Sequence, residues 1–292
     1  MSVFEDAPAP RGRLVDIGGR RLRLVCAGPQ TGAPTVVLEA GAFGFSADWA
    51  VVQDRLAAQG VRSCAYDRAG MASSDPGPEP RDGIAAAEDL ERLLAAAGES
   101  GPYVLVGHSM AGVRIWLFYQ RNRDKVAGLT FVDAATPDLV ASPTFQPLLN
   151  SFSALSYAAA GVASAGLLKP FSFTADTIGL PPEAAAEKRW AFADGRHNRT
   201  SALEVAQWQR AAEQALGAGA SLDPKLPVAV ITAGRGGGGR FQDLYAGPAQ
   251  RAEHGYFANV EEAHHADLLG LRFADEIVRG LDFVLAQVPP RQ

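Results

Sequence analysis

The segment Tyr103-Val-Leu-Val-Gly107-His108-Ser109-Met110-Ala111-Gly112 constrains this chain more than any other. Tyr103 to Val106 is a short aliphatic run of the kind found in a buried parallel strand. From Met110 to Arg121 the pattern turns helical, with Val113, Leu117 and Tyr119 or Gln120 as candidate facing positions. Gly107 and the small pair Ala111-Gly112 let strand and helix pass closely at the turn. A serine on such a bend projects its hydroxyl at the carboxyl edge of a sheet, at the positive end of the new helix. That makes Ser109 a candidate nucleophile and puts backbone N–H groups, Met110 among them, where an oxyanion would form. One such motif also fits a tight turn with an incidental serine, so its surroundings have to decide.

Those surroundings alternate between strand and helix. Residues 35–39, 61–66, 103–107, 129–132, 228–232 and 256–260 read as short buried strands. A hairpin is expected at the N-terminus, where Leu14-Val15-Asp16 and Leu22 to Cys26 flank Gly18-Gly19. Helices are predicted from Ala47 to Gln59 after a Ser46 cap, and from Asp82 to Ala97, stopped by Gly98. Phe273, Ile277, Leu281 and Val284 form the apolar stripe of a closing helix. Alternation of this kind predicts a mostly parallel sheet covered on both faces, with ligands bound beyond the carboxyl ends of its strands. Ser109, Asp67, Asp133, the loop at Ala42 and the His264 region all fall at such ends.

From Pro137 to Pro227 the alternation stops. No convincing buried strand occurs there, alanine is frequent, and Trp190, Phe192 and Trp208 stand out. The interval reads as a helical cap inserted over the site, its aromatics together outlining an apolar substrate chamber. Leu139 to Leu168 carries no charge, but Pro143, Pro147 and scattered polar residues interrupt it. A membrane-spanning helix wants about 20 predominantly apolar residues in a row, so a cap helix with an apolar underside is expected instead.

Four segments, taken in order, resemble the α/β-hydrolase family of single-domain esterase type. They are the hairpin; Thr35 to Gly44, similar to the strand and Gly-rich loop that donates half of an oxyanion hole; Ala65-Tyr-Asp-Arg-Ala-Gly-Met-Ala-Ser-Ser74, similar to the family's "YDRxGxGxS" turn; and the Ser109 elbow. Ala263-His264-His265 follows at the far end. The family's usual Gly at the fifth elbow position is Ala111 here, and Glu39-Ala40-Gly41 lacks the His that often precedes that glycine. The resemblance implies an α/β-hydrolase core over residues 1–137 and 226–292, with a helical cap over 138–225. It also implies a serine hydrolase working through a Ser-His-Asp triad, with the amides of Ala42 and Met110 as the oxyanion hole.

The base comes from five histidines. His197 sits in a polar stretch read as surface, His254 precedes a strand on the wrong edge of the sheet, and His108 reads as support for the elbow. Aligning Ala263-His264-His265-Ala266 to the family's loop favours His265 as the base over His264. For the acid, the later family position offers no carboxylate until Asp243, inside a predicted helix. Asp133, at the end of the 129–132 strand, matches the spacing of relatives that use the earlier position. Asp133 is favoured and Asp243 held in reserve. Asp67 and Arg68 read as a buried structural pair fixing their turn.

Composition narrows the rest. Of the 292 residues, 47% are apolar and 20% charged, as expected for a globular chain with a substantial core. A net charge of −5 speaks against nucleic-acid binding. Met1 to Pro8 carries acids where a signal peptide would need a basic start, so the cytoplasm is the expected compartment. Cys26 and Cys64 fall in predicted strands and are expected buried and reduced. No dinucleotide fingerprint or phosphate loop is present, and the His264-His265 pair lacks companion ligands, so neither cofactor nor metal is expected. The expected partner is a small, apolar, ester-like molecule. Lactone, amide or C–C bond cleavage fits the same triad, and a small-molecule receptor fits the same fold. Serine at the elbow speaks against epoxide and haloalkane chemistry, which needs an aspartate there.

Overall fold

The computed structural model describes residues 8–217, 221–235 and 242–288. Eight strands form one sheet: β1 (Arg13–Asp16), β2 (Arg21–Ala27), β3 (Thr35–Glu39), β4 (Ser63–Tyr66), β5 (Tyr103–His108), β6 (Val126–Val132), β7 (Val228–Ala233) and β8 (Gly255–Val260). Their spatial order is β1-β2-β4-β3-β5-β6-β7-β8. Pairing is antiparallel from β1 to β2 and from β2 to β4, and parallel from there to β8. The hairpin joining β1 and β2 closes on Asp16, whose Oδ1 accepts from Gly18 and Gly19 N–H at 2.8 and 3.0 Å. Both glycines hold positive φ there.

Side chains of the central strands alternate between two cores, as the period of a strand requires. Val37, Leu105, Leu129, Phe131, Val228 and Val230 face one, while Val36, Leu38, Val104, Val106, Val132 and Ile231 face the other. Helices α2 (Gly83–Ala97), α3 (Ala111–Arg121) and α9 (Gln242–Arg251) cover the first, and α1 (Ala50–Ala58) and α10 (Ala274–Ala286) the second. Asp82 caps α2 by accepting from Ala85 N–H, and Gly98 ends it in the left-handed conformation. The stripe expected on the closing helix is real: Ile277, Leu281 and Val284 of α10 are fully buried. The sheet is thus mostly parallel and covered on both faces, as the α/β-hydrolase fold requires.

Between β6 and β7 run α4 (Pro137–Ala141), α5 (Gln146–Ser164), α6 (Pro182–Ala193), α7 (Gly195–Ala206) and α8 (Trp208–Gly217). Helix α5 packs on α7, α4 on α8, and α8 on α2 and α3. This second layer explains why α3 is buried on every side from Val113 to Tyr119 rather than along one stripe. Among the described residues, no helix is long and apolar enough to cross a membrane.

Three local expectations need correction. Ser46 does not cap a helix: Ser46–Trp49 is a 3-10 turn, Asp48 Oδ2 accepts from Phe45 N–H (3.0 Å), and Ser46 Oγ donates to Asp67 (2.7 Å). A buried carboxylate without partners would be costly, so Asp67 outcompetes the helix end for that hydroxyl. The strand expected from residue 61 starts at Ser63, because Val61 N–H bonds back to Leu56 O (2.9 Å) and finishes α1. Cys26 and Cys64 are joined in a disulfide rather than reduced. They are register partners across β2 and β4 with Cα atoms 4.1 Å apart, so their side chains face each other at bonding range. That pairing joins strands that are not consecutive, which the spacing of the two cysteines could not reveal.

Candidate active site

Ser109 occupies the turn between β5 and α3 with φ of +59°. Its N–H donates to Val132 O (3.1 Å), and its carbonyl accepts from Gly112 (3.2 Å) and Ala135 (3.0 Å). Three bonds therefore hold a residue in a backbone region that non-glycine residues rarely enter. The loop after β3 passes directly beside it, and a Cβ on Gly41 would lie 2.8 Å from Ser109 Cβ, so only glycine fits.

At the end of the neighbouring strand β6, Asp133 also has positive φ, +42°. Its Oδ1 accepts from Ala233 N–H (3.2 Å), and its Oδ2 meets His265 Nδ1 at 2.5 Å. The Asp133 side chain is 13% exposed and that of His265 50%. His264 is bonded through its backbone: its N–H donates to Asp267 Oδ2 (3.2 Å) and its carbonyl accepts from Asp267 N–H (3.0 Å). The two members of the pair therefore differ: His265 faces a carboxylate and His264 does not. Asp243 lies in the first turn of α9, but its side chain is outside the described residues. Tyr245, one turn of α9 removed from the start, has its hydroxyl pushed up to about 12 by burial and by the Asp133 charge. Among the described contacts, no hydrogen bond joins the Ser109 hydroxyl to either His264 or His265.

His108 supports the His265 loop rather than the elbow alone. Its Nε2–H donates to His265 O (3.1 Å), and the two rings lie 4.4 Å apart, tilted by 32°. Burial, followed by the neighbouring His265, lowers its pKa to about 3, so it stands neutral beneath His265.

The loop Ala40–Gly44 is held from below. Arg68 donates to Ala40 O (2.9 Å), Gly41 O (3.1 Å) and Gly44 O (3.3 Å), and Arg114 donates to Ala40 O (2.6 Å). Both guanidiniums rest on Glu39, at 2.9 and 3.0 Å, and Tyr66 OH donates to the same carboxylate. Glu204 of α7 takes the remaining edge of Arg68 (2.9 Å). Arg68 charge keeps the Glu204 carboxyl below its ordinary value despite burial, whereas burial and Glu39 push the Tyr66 phenol well up. This corrects the expected Asp67–Arg68 pair. Both residues are buried, but Asp67 binds Arg23 (2.9 Å) and Ser46, while Arg68 binds Glu39, Glu204 and the loop. Adjacent residues leaving a strand point to opposite sides. Glu39, a charge at the end of an otherwise apolar strand, was the sequence signal for this network.

His197 is the other correction. It is 2% exposed, not on the surface, and both ring nitrogens are used. Nδ1 accepts from Ala72 N–H and Nε2 donates to Phe43 O, each at 3.1 Å. The polar stretch around it is the start of α7, where Asp194 caps the helix by accepting from His197 N–H (2.7 Å), so its polarity reflects a buried helix end. The aromatics singled out between Pro137 and Pro227 also divide. Trp208 stacks on Phe152 (5.3 Å), which meets Phe43 edge-on (6.4 Å), whereas Trp190 packs against the opposite core. Among the described residues, Cys26, Cys64 and Glu99 are the one set of three potential metal ligands within reach of each other, and both sulfurs are in the disulfide.

Comparison with known proteins bears on the fold. A family model described as the alpha/beta hydrolase fold matches residues 34–170. The chain is 38% identical over 141 residues to the probable transporter efuK of Hormonema carpetanum, covering 46% of this chain and 20% of that protein. It is 39% identical over 94 residues to esterase PIR7B of Oryza sativa subsp. japonica, covering 30% of this chain and 34% of the esterase. The chain thus spans about a third or less of the length of these two curated relatives. Among solved structures, epoxide hydrolase CorEH without ligand superposes with a TM-score of 0.73 at 22% identity, covering 94% of this chain and 99% of the other. At that identity the likeness speaks to fold alone.

Proposed function

Taking the chain as a protein of the α/β-hydrolase fold, we propose that it is a serine hydrolase cleaving a small, apolar carboxylic ester through an acyl-enzyme. The observation that carries this is the contact between His265 Nδ1 and Asp133 Oδ2 at the strand ends next to the strained Ser109 turn. In the proposed reaction His265 takes the Ser109 proton through Nε2 as the oxygen attacks the ester carbonyl. The tetrahedral oxyanion rests on the amides of Ala42 and Met110, an effect worth about 2.7–4 kcal/mol per donor in comparable enzymes. Asp133 holds Nδ1–H and stabilises the imidazolium. The same imidazolium then protonates the departing alkoxide. Water, deprotonated by His265, releases the acid and restores the serine.

An apolar acyl or alcohol group is favoured by Phe43, Phe152 and Trp208, which join the oxyanion loop to α5 and α8. Under this proposal residues 138–225 act as the cap over a core of 1–137 and 226–292. Epoxide opening in this fold calls for an aspartate where this chain has Ser109. The test is a p-nitrophenyl ester series of increasing acyl length, run beside fluorophosphonate labelling and Ser109→Ala. Turnover with rapid labelling, both lost in S109A, supports the proposal. Labelling without turnover favours a receptor on the same fold, and no labelling removes the nucleophile.

A further inference from the structure

The loop beside Ser109 and the turn after β4 each carry a non-glycine residue at positive φ, Phe43 at +56° and Ala72 at +38°. One imidazole bonds to both: His197 donates from Nε2 to Phe43 O and accepts at Nδ1 from Ala72 N–H. We propose that His197, carried by the inserted helix α7, is a positioning residue for the oxyanion loop, an inference that rests on Ser109 being the nucleophile.

Gly44 N–H bonds to Gly41 O at 3.2 Å, so residues 41–44 form a tight turn with Phe43 at its third position. Positive φ at that position ordinarily calls for glycine or asparagine. Phe43 pays for its side chain in backbone strain, and something outside the turn has to hold it there. The Ala42 amide is fixed from both sides. Arg68 binds Gly41 O, and because a trans peptide points its C=O and N–H in opposite directions, the Ala42 N–H is aimed away from Arg68. His197 then fixes the next carbonyl but one, Phe43 O. Both anchors trace to α7, for Glu204, seven residues on and on the same helix face, holds Arg68. The two partners of His197 also specify its tautomer: Nδ1 faces a donor and has to be bare, and Nε2 faces an acceptor and has to carry the proton. Burial first, then Lys188, lowers its pKa to about 4, against the smaller opposing influences of the Phe43 hydrogen bond and then Asp48. Lys188 itself is paired with Asp48 (2.6 Å). The neutral form therefore persists at neutral pH.

The test separates the two ring nitrogens. In His197→Asn the amide oxygen replaces Nδ1 and keeps Ala72, but the bond to Phe43 O is lost. In His197→Gln the amide nitrogen reaches the Nε2 position. H197N should lower kcat about 100-fold, the scale expected when a reacting group is misplaced by about 1 Å, with KM little changed. It should weaken binding of an aryl trifluoromethyl ketone, a tetrahedral oxyanion mimic, by a similar factor, and H197Q should recover most of both. A role in packing alone would lower the melting temperature of both variants and leave kcat and ketone affinity untouched, which would overturn the proposal. Independently of how the variants fold, the His197 Nε2–H resonance of the wild-type protein should shift when the ketone binds, and an unmoved resonance also overturns it. Wild-type protein inert to ester and ketone alike would instead refute the nucleophile, and this inference with it.

Discussion

Asp133→Asn isolates the acid of the proposed triad with the smallest change of shape. In the native arrangement Oδ2 lies 2.5 Å from His265 Nδ1 and Oδ1 accepts from Ala233 N–H at 3.2 Å. An asparagine has one acceptor and one donor for these two places. If its oxygen stays with Ala233, its NH2 faces His265 Nδ1, which has to give up its proton; Nε2 then carries one and cannot accept from Ser109. If the amide turns over, its NH2 meets the Ala233 N–H, two donors face each other, and Ala233 loses its bond. The first orientation costs less, so the variant should hold His265 in the wrong tautomer. An equivalent substitution in a serine protease triad lowers kcat about 10,000-fold, equal to roughly 5.4 kcal/mol of transition-state stabilisation. We expect a loss of about 1,000- to 10,000-fold here, read as kcat on a p-nitrophenyl ester, with KM within a few-fold of wild type. Asp243→Asn is the companion. A D133N enzyme retaining a tenth or more of wild-type kcat, beside an inactive D243N, would refute the assignment and move the acid to α9.

Three further outcomes follow from the buried charges and the disulfide. Arg68→Met should cost about 3–5 kcal/mol in urea unfolding, because it strands Glu204 unpaired in the interior, and should lower kcat as the Gly41 and Gly44 carbonyls lose their donor. His108 and His197 are held at about 3 and about 4, far below the 6.5 of a free imidazole, so the unfolded chain takes up protons that the folded chain refuses. Their stabilisation is complete above pH 6.5 and should fall by about 1.4 kcal/mol per pH unit for each group as the pH drops toward 4; a flat unfolding free energy between pH 7 and 5 would contradict their burial as neutral rings. Reducing the Cys26–Cys64 disulfide, which spans 38 residues, should lower stability by about 4 kcal/mol on the chain-entropy estimate, measured by thermal unfolding with and without a thiol reductant.

The parts of this molecule legible in its sequence are those set by local patterning. Apolar runs bounded by Gly and Pro marked all six core strands to within three residues of their observed ends, and the Gly18-Gly19 turn marked the hairpin. Asp133 and the His264-His265 pair stood out as candidates because each follows a recognisable strand, and the family resemblance alone favoured His265 over His264. What stayed hidden depends on tertiary pairing. Asp67 and Arg68 are neighbours in sequence and bury together, yet their partners lie 44 and 136 residues away at Arg23 and Glu204. His197 read as surface because capping residues and buried polar clamps use the same residue types as exposed loops. Cys26 and Cys64 are opposite each other only because β2 pairs with β4.

The distribution of backbone strain ties these hidden contacts to the site. Among the described residues, the non-glycine positions with positive φ are Phe43, Ala72, Ser109 and Asp133. Each costs on the order of 1–3 kcal/mol and persists only where its surroundings over-determine it. The fastenings are on hand: Phe43 O and Ala72 N–H bond to His197, Ala72 O also accepts from Arg196, Ser109 bonds to Val132 and Ala135, and Asp133 N–H donates to Ile231 O at 2.6 Å. For Ser109 and Asp133 these fastenings come from β6, β7 and the loop after β6. For Phe43 and Ala72 they come from α7, part of the insertion between β6 and β7. Two of the four strained residues are therefore fastened by a segment outside the sheet, and removing those fastenings should lower turnover.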